Sequence, residues 1–164
     1  MARKVFYSFH YVPDCVRTAQ VRNSAVVEGS HTISDNAWET VKAGGDAAIQ
    51  RWIDGQLSGR SATVVLIGSA TAGRKWINYE IRKSWDSGKG LVGIHIHNLK
   101  NFQQQQSPKG SNPFAGINLQ DGRKLSSVVK VYDPPYSTST LVYDHIKKNL
   151  ERWVEESIVI RNQA

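Results

Sequence analysis

The stretch Ser61–Trp85, SATVVLIGSATAGRKWINYEIRKSW, carries the reading of the fold. It opens with an unbroken apolar run, Ala62 to Ile67, closed by Gly68 and Ser69. A short run rich in Val and stopped by glycine reads as a strand covered on both faces, as in a parallel sheet. A polar loop, Ser69 to Lys75, follows, and the spacing then turns helical. Ile77, Ile81 and Trp85 recur one turn apart and form a single apolar stripe. At about 100° per residue, Ser84 falls beside that stripe, while Trp76 and Glu80 fall together on its shoulder. Glu80 therefore stands one turn into a helix, just beyond the carboxyl end of a central strand. Open α/β sheets carry their ligands there.

Toward the amino terminus, Lys4 to Phe9 (KVFYSF) is β-branched and aromatic and predicts a first strand. His10-Tyr11-Val12-Pro13-Asp14 ends it, and a helix is expected from about Asp14 to Val26. A weak second strand is expected around Thr32-Ile33. Asn36 with Glu39 resembles a capping box, and Gly44-Gly45 interrupts the helix it opens. From Asp46 a further helix places Ile49, Trp52, Ile53 and Leu57 on one face and ends near Gly59. Beyond Gly88, Leu91 to Ile96 predicts another buried strand, with His95 and His97 on one face and Val92, Ile94 and Ile96 on the other. Residues 98–127 form a long polar stretch without periodicity, a length that usually marks a functional or mobile loop. Val128 to Tyr132 is the expected last strand, stopped by Asp133-Pro134-Pro135. Ser137 is the expected cap of a final helix reaching about residue 160, with Val142, Ile146, Leu150, Trp153 and Val154 inward.

Strands alternating with helices imply right-handed crossovers and a parallel sheet with helices on both faces. The expectation is one domain over residues 1–164, an α/β three-layer flavodoxin-like fold with about five strands. In that fold strands one and three flank the switch-point crevice. The loops after them, Phe9-His10-Tyr11 and Gly68 to Glu80, should then be neighbours.

The chain has 164 residues, a formal net charge of +7 and a single cysteine, Cys15. One cysteine makes no internal disulfide, the first residues carry no apolar leader pattern, and no stretch approaches transmembrane length. A cytoplasmic protein without membrane contact is expected. The basic residues are scattered in ones and twos, with no nucleic-acid-binding signature, so an anionic small ligand such as a dinucleotide fits the charge better than nucleic acid.

Several chemistries are excluded by what stands at the strand ends. A phosphoacceptor receiver needs carboxylates where Gly68 and Phe9-His10 stand, and HYVPD cannot wrap a flavin phosphate. No dinucleotide-binding glycine fingerprint, P-loop or serine elbow occurs. His95 and His97 lie about 7 Å apart along one strand face. They lack a third ligand of suitable spacing, so they read as structural and no metal is expected. A single carboxylate framed by aromatics remains. Glycosidases use two carboxylates because the leaving alkoxide needs a proton. Nicotinamide leaves NAD as a neutral molecule, so one carboxylate suffices to steady the oxocarbenium-like charge. Phe9, Tyr11, Trp38 and Trp76 offer faces for stacking, His10 stands at the crevice as a proton carrier, and the amides of Ser69 and Ala70 are placed to meet a pyrophosphate.

The blocks KVFYSFHY (4–11), NAWE (36–39), DAAIQRWID (46–54), VVLIGSATAGRKWINYEIRKSWDSGKGLVGIHIHN (64–98) and KGSNPF (109–114) resemble, in that order, the TIR-like proteins of the Thoeris antiphage system. The resemblance covers roughly residues 3–115. It implies a TIR fold that consumes NAD as a substrate, needs no resident cofactor, and releases nicotinamide with a cyclic or otherwise modified ADP-ribose. That signal activates a separate effector after a phage-derived trigger, and the protein acts as a homo-oligomer. By position Glu80 matches the family's catalytic glutamate, and Phe9, His10 and Tyr11 match its strand-one loop. The alternative is a TIR adaptor that catalyses nothing and signals by self-assembly.

Overall fold

A computed structural model describes residues 3–24, 26–29 and 40–164. Its strands are β1 (Lys4–Ser8), β2 (Glu28–Gly29), β3 (Ala62–Ile67), β4 (Gly90–His95) and β5 (Val131–Tyr132). Its long helices are α1 (Tyr11–Asn23), α2 (Gly45–Leu57), α3 (Lys75–Asp86) and α4 (Ser139–Gln163). The strands form one sheet in the order β2-β1-β3-β4-β5, and every pairing is parallel. This is the doubly wound α/β order, and it reverses between β1 and β3.

The pleat sorts side chains to two faces. Val5, Tyr7, Val64, Leu66, Val92 and Ile94 meet Val21 of α1 and Val142, Ile146, Leu150 and Val154 of α4. On the opposite face Val65, Ile67 and Leu91 meet Ile77 and Ile81 of α3, while Phe6 packs with Ile49, Ile53 and Leu57 of α2. Every residue of β3 and β4 is buried, which is why those strands read as apolar runs without alternation.

The elements differ from expectation at their ends. α1 begins at Tyr11 rather than Asp14, because Pro13 lies in the first turn, where its missing N–H costs no hydrogen bond. Asp14 N–H closes that turn on the His10 carbonyl at 3.1 Å, and the helix stops at Asn23, before Val26. The strand beside β1 is Glu28–Gly29, where a β-carbon on Gly29 would overlap the Tyr7 ring. The expected strand at Thr32-Ile33 and the capping box at Asn36 and Glu39 lie outside the described residues. β5 keeps only Val131 and Tyr132, since Val128 and Val129 fold back to donate to the Leu125 carbonyl after a 3₁₀ turn at Leu125–Ser127. α4 starts at Ser139 behind Thr138, and no side chain caps it. Ser137 is not the cap: its carbonyl accepts the Gln106 side chain instead.

The 98–127 stretch stays irregular, yet it is tied down and partly core. Phe114, Ile117 and Leu125 are buried over β3 and β4 beside α3. Its first part turns tightly around Asn101, whose Oδ1 accepts from the Gln103 and Gln105 amides. Arg17, buried on α1, clamps that turn by donating to the carbonyls of Leu99 (2.8 Å) and Gln105 (2.9 Å).

Candidate functional site

The reversal of strand order between β1 and β3 places the ends of Ser8 and Ile67 side by side, with α3 rising beyond them. Glu80 is on the α3 face that meets this seam. It is buried, at 8 % exposure, where the helical projection put it on a half-exposed shoulder. β1 makes the difference: by alternation from Phe6, Ser8 points to the same side and closes over the carboxylate. The Ser8 hydroxyl donates to Glu80 Oε1 at 2.7 Å, with Ser8 itself fully buried. No other described side chain donates to this carboxylate.

Burial pushes the Glu80 carboxyl up to about 8, and the Ser8 hydrogen bond, which favours the charged form, offsets only part of that. The helix is fixed at the same residue. Ser84 Oγ donates to the Glu80 backbone carbonyl at 2.6 Å and lies 2.6 Å from Thr63 Oγ1 of β3. Glu80 is thus tethered to β1 through its side chain and to β3 through its backbone.

The remaining wall of the crevice is built on glycine and a buried ion pair. Gly68 follows β3, and its N–H donates to Thr71 Oγ1 at 2.8 Å. A β-carbon on Gly68 would overlap the Asp14 carboxylate, and one on Gly110 would overlap the Gly68 carbonyl. Loop residues around Gly110 therefore cross directly over the end of β3. Asp14 pairs with Arg17 at 2.8 Å, both side chains almost wholly buried. Burial still holds the Asp14 carboxyl above its ordinary range, and Oδ2 has no hydrogen-bond partner.

The residues singled out from the sequence divide into groups. His10 is the residue before α1; burial first, then the Arg74 charge, lowers its pKa, and its Nδ1 is buried without a partner. Phe9 and Tyr11 flank it with ring centroids 6.1 Å apart, Phe9 packing on the α1 and α4 side of the sheet. Ser69 is exposed at the end of β3, and no side chain caps the first turn of α3. Trp76 is half-buried toward α2, against the Phe6, Ile49, Ile53 and Leu57 cluster, and meets Tyr79 edge-on at 5.7 Å. Trp38 lies outside the described residues. His95 and His97 are buried, ring to ring at 5.7 Å, with pKa values lowered by burial. Among the described residues no cluster of three or more His, Cys, Asp or Glu stands in metal-binding arrangement.

Sequence reasoning missed Ser8, Asp14, Arg17 and Gly110. Ser8 alone had a local signal, as the one serine of the first strand and two residues from Phe6 on the same face.

The sequence pattern of the family described as "Thoeris protein ThsB, TIR-like domain" matches residues 6–101. That span holds Ser8, the switch-point loops and Glu80. A protein of Bacillus cereus (strain MSX-D12) named "Putative cyclic ADP-D-ribose synthase ThsB1" is 40% identical over 134 residues, covering 76% of this chain and 69% of that protein. Among the described residues no helix is long and apolar enough to cross a membrane. With its sheet order, its switch-point glutamate and these two matches, the chain belongs to the TIR-like family of Thoeris ThsB proteins.

Proposed function

We propose that this protein cleaves the bond between nicotinamide and ribose in NAD and turns the remainder into a cyclic ADP-ribose signal for antiviral defence. The observation that carries the reading is one buried carboxylate, Glu80, held by Ser8 at the seam between β1 and β3. The name of the Bacillus relative points to the same product class.

The chemistry needs little more than that carboxylate. The C1′–N bond of the nicotinamide riboside breaks, and its electron pair returns to the ring nitrogen, giving neutral nicotinamide. The cation left at C1′ is stabilised by Glu80 and captured by a nucleophile of the same molecule to close the ring, or by water to give ADP-ribose. Burial favours the neutral form of Glu80, and a pyridinium beside it favours the ionised form, so the substrate itself helps to create the charge that serves it. Phe9 and Tyr11 supply aromatic faces, the uncapped first turn of α3 and the Ser69 amide supply donors for the pyrophosphate, and Trp76 stands beside the leaving ring. NAD is substrate, and no resident cofactor enters the scheme. The product reaches a separate effector by diffusion, a phage-derived trigger raises the activity, and neighbouring copies of the chain complete the open crevice.

The decisive experiment incubates the purified protein with NAD and resolves the products by mass and retention time. Nicotinamide appearing with a cyclic ADP-ribose, lighter than ADP-ribose by one water, is the expected result. Stoichiometric ADP-ribose alone would keep the cleavage and remove the cyclisation. No nicotinamide under any activating condition would leave the adaptor alternative.

A further inference from the structure

Glu80 has two oxygens and, among the described residues, one donor. Ser8 occupies Oε1 from the floor of the seam, and Oε2 receives no hydrogen bond. Ser8 is fully buried, and with Lys4 exposed it is the single buried polar side chain of β1 on this face. A buried hydroxyl needs a partner of its own, and with Thr63 and Ser84 paired to each other, Glu80 is the partner of Ser8. Backbone pairing of β1 with β3 fixes the height of Ser8 opposite Val65, and the Ser84–Thr63 contact fixes the height of Glu80 on α3. The 2.7 Å contact is therefore set by the sheet, not by two flexible chains finding each other.

We propose that Ser8 is the positioning residue of the site: its hydroxyl sets both the ionisation and the aim of Glu80, leaving Oε2 as the oxygen that receives the ribose hydroxyls. This rests on Glu80 being the catalytic carboxylate. The direction follows from elementary electrostatics. A donor to Oε1 stabilises the carboxylate more than the acid, so Ser8 works against the burial that favours the proton. Removing the hydroxyl leaves burial unopposed, and Glu80 then holds its proton to higher pH. A merely structural serine has no such consequence: its loss would lower activity by the same factor at every pH.

The test uses the full chain with ¹³C-labelled glutamate side chains, titrated by NMR, the Glu80 signal being identified by its absence in Glu80→Gln. In Ser8→Ala the Glu80 midpoint should rise by at least about one unit, the size expected for one hydrogen bond to a charged group. The acid limb of kcat/KM for NAD should move up by the same amount. At pH 7.5 kcat/KM should fall about eightfold and recover to within about threefold of wild type above the displaced midpoint, as one unit of midpoint is close to a factor of 10 in carboxylate below it. An unmoved or lowered midpoint in a folded Ser8→Ala protein overturns the proposal. So does a pH-independent loss of kcat/KM. A displaced midpoint in a protein that never turns over NAD would uphold the Ser8–Glu80 coupling and sink the catalytic reading, so the two failures are told apart.

Discussion

At the scale of single residues, Glu80 dominates because its surroundings disfavour the charge the chemistry needs. Glu80→Gln keeps volume and removes that charge; nicotinamide release should fall at least ~100-fold, the scale of one lost electrostatic stabiliser, with an unchanged circular dichroism spectrum. Turnover at the wild-type rate would remove Glu80 from the mechanism. The same substitution has a stability signature. The folded carboxyl titrates at about 8 and the unfolded one near 4.5, so folding takes up a proton between those values. The contribution is fully present below the unfolded value and is lost as pH rises toward 8, at up to ~1.4 kcal/mol per pH unit. Denaturant midpoints from pH 5 to 8.5 should therefore show Glu80→Gln gaining on wild type as the pH is raised. His95 and His97 carry the opposite sign. Their folded pKa values are lowered, so they contribute stability above the unfolded value near 6.5 and lose it as the pH falls through the folded values.

At the scale of elements, what could be read in advance was whatever has a period or a continuous run. β3 and β4 are buried on both faces and announce themselves; α3 shows its stripe through Ile77 and Ile81. The placement of Glu80 past a central strand was legible for the same reason. Its burial was not, since the residue that covers it comes from a strand 72 positions earlier. Trp76 turns to α2 because Phe6 and the α2 leucine and isoleucines offer apolar surface there, a contact invisible in a projection of α3 alone. Phe114, Ile117 and Leu125 join the core from irregular chain, which has no period to betray it. Arg17 shows how that irregular chain is held. Arg17→Ala strands the buried Asp14 carboxylate and frees the carbonyls of Leu99 and Gln105. A loss of about 3–5 kcal/mol is expected, with faster amide exchange confined first to residues 99–107. Unaltered exchange there would show that the clamp holds nothing.

At the scale of the whole molecule, the charge of +7 is dispersed rather than gathered. Arg3 pairs with Glu155, Arg17 with Asp14, Lys75 with Asp46, Lys109 with Asp133, Arg123 with Asp121 and Lys130 with Glu156. Arg17–Asp14 is buried, and the other pairs are spread over the surface rather than gathered in a stripe that could track phosphates. Fluorescence anisotropy with a labelled 30-base-pair duplex should show no saturable binding at physiological salt; a steep, salt-sensitive isotherm would reopen the nucleic-acid reading. Two of the basic residues do local work instead: Lys109 holds the crossing loop to Asp133, and Arg74 donates to the Ala70 carbonyl at 3.1 Å, folding the turn ahead of α3.

The contact of Gly68 with Asp14 beneath it and Gly110 above it carries a lesson about mutational tolerance. The three positions are one layer, and the permitted size at each depends on the others. A methyl at position 68 meets the Asp14 side chain, so Gly68→Ala should cost about 1–3 kcal/mol, and shortening Asp14 alone to make room would strand the buried Arg17 charge. A methyl at position 110 meets backbone, and no change of side chain can make room for it. Lineages of this fold can then enlarge position 68 only by changing positions 14 and 17 together with it, while any chain that keeps this loop crossing over β3 stays glycine at 110.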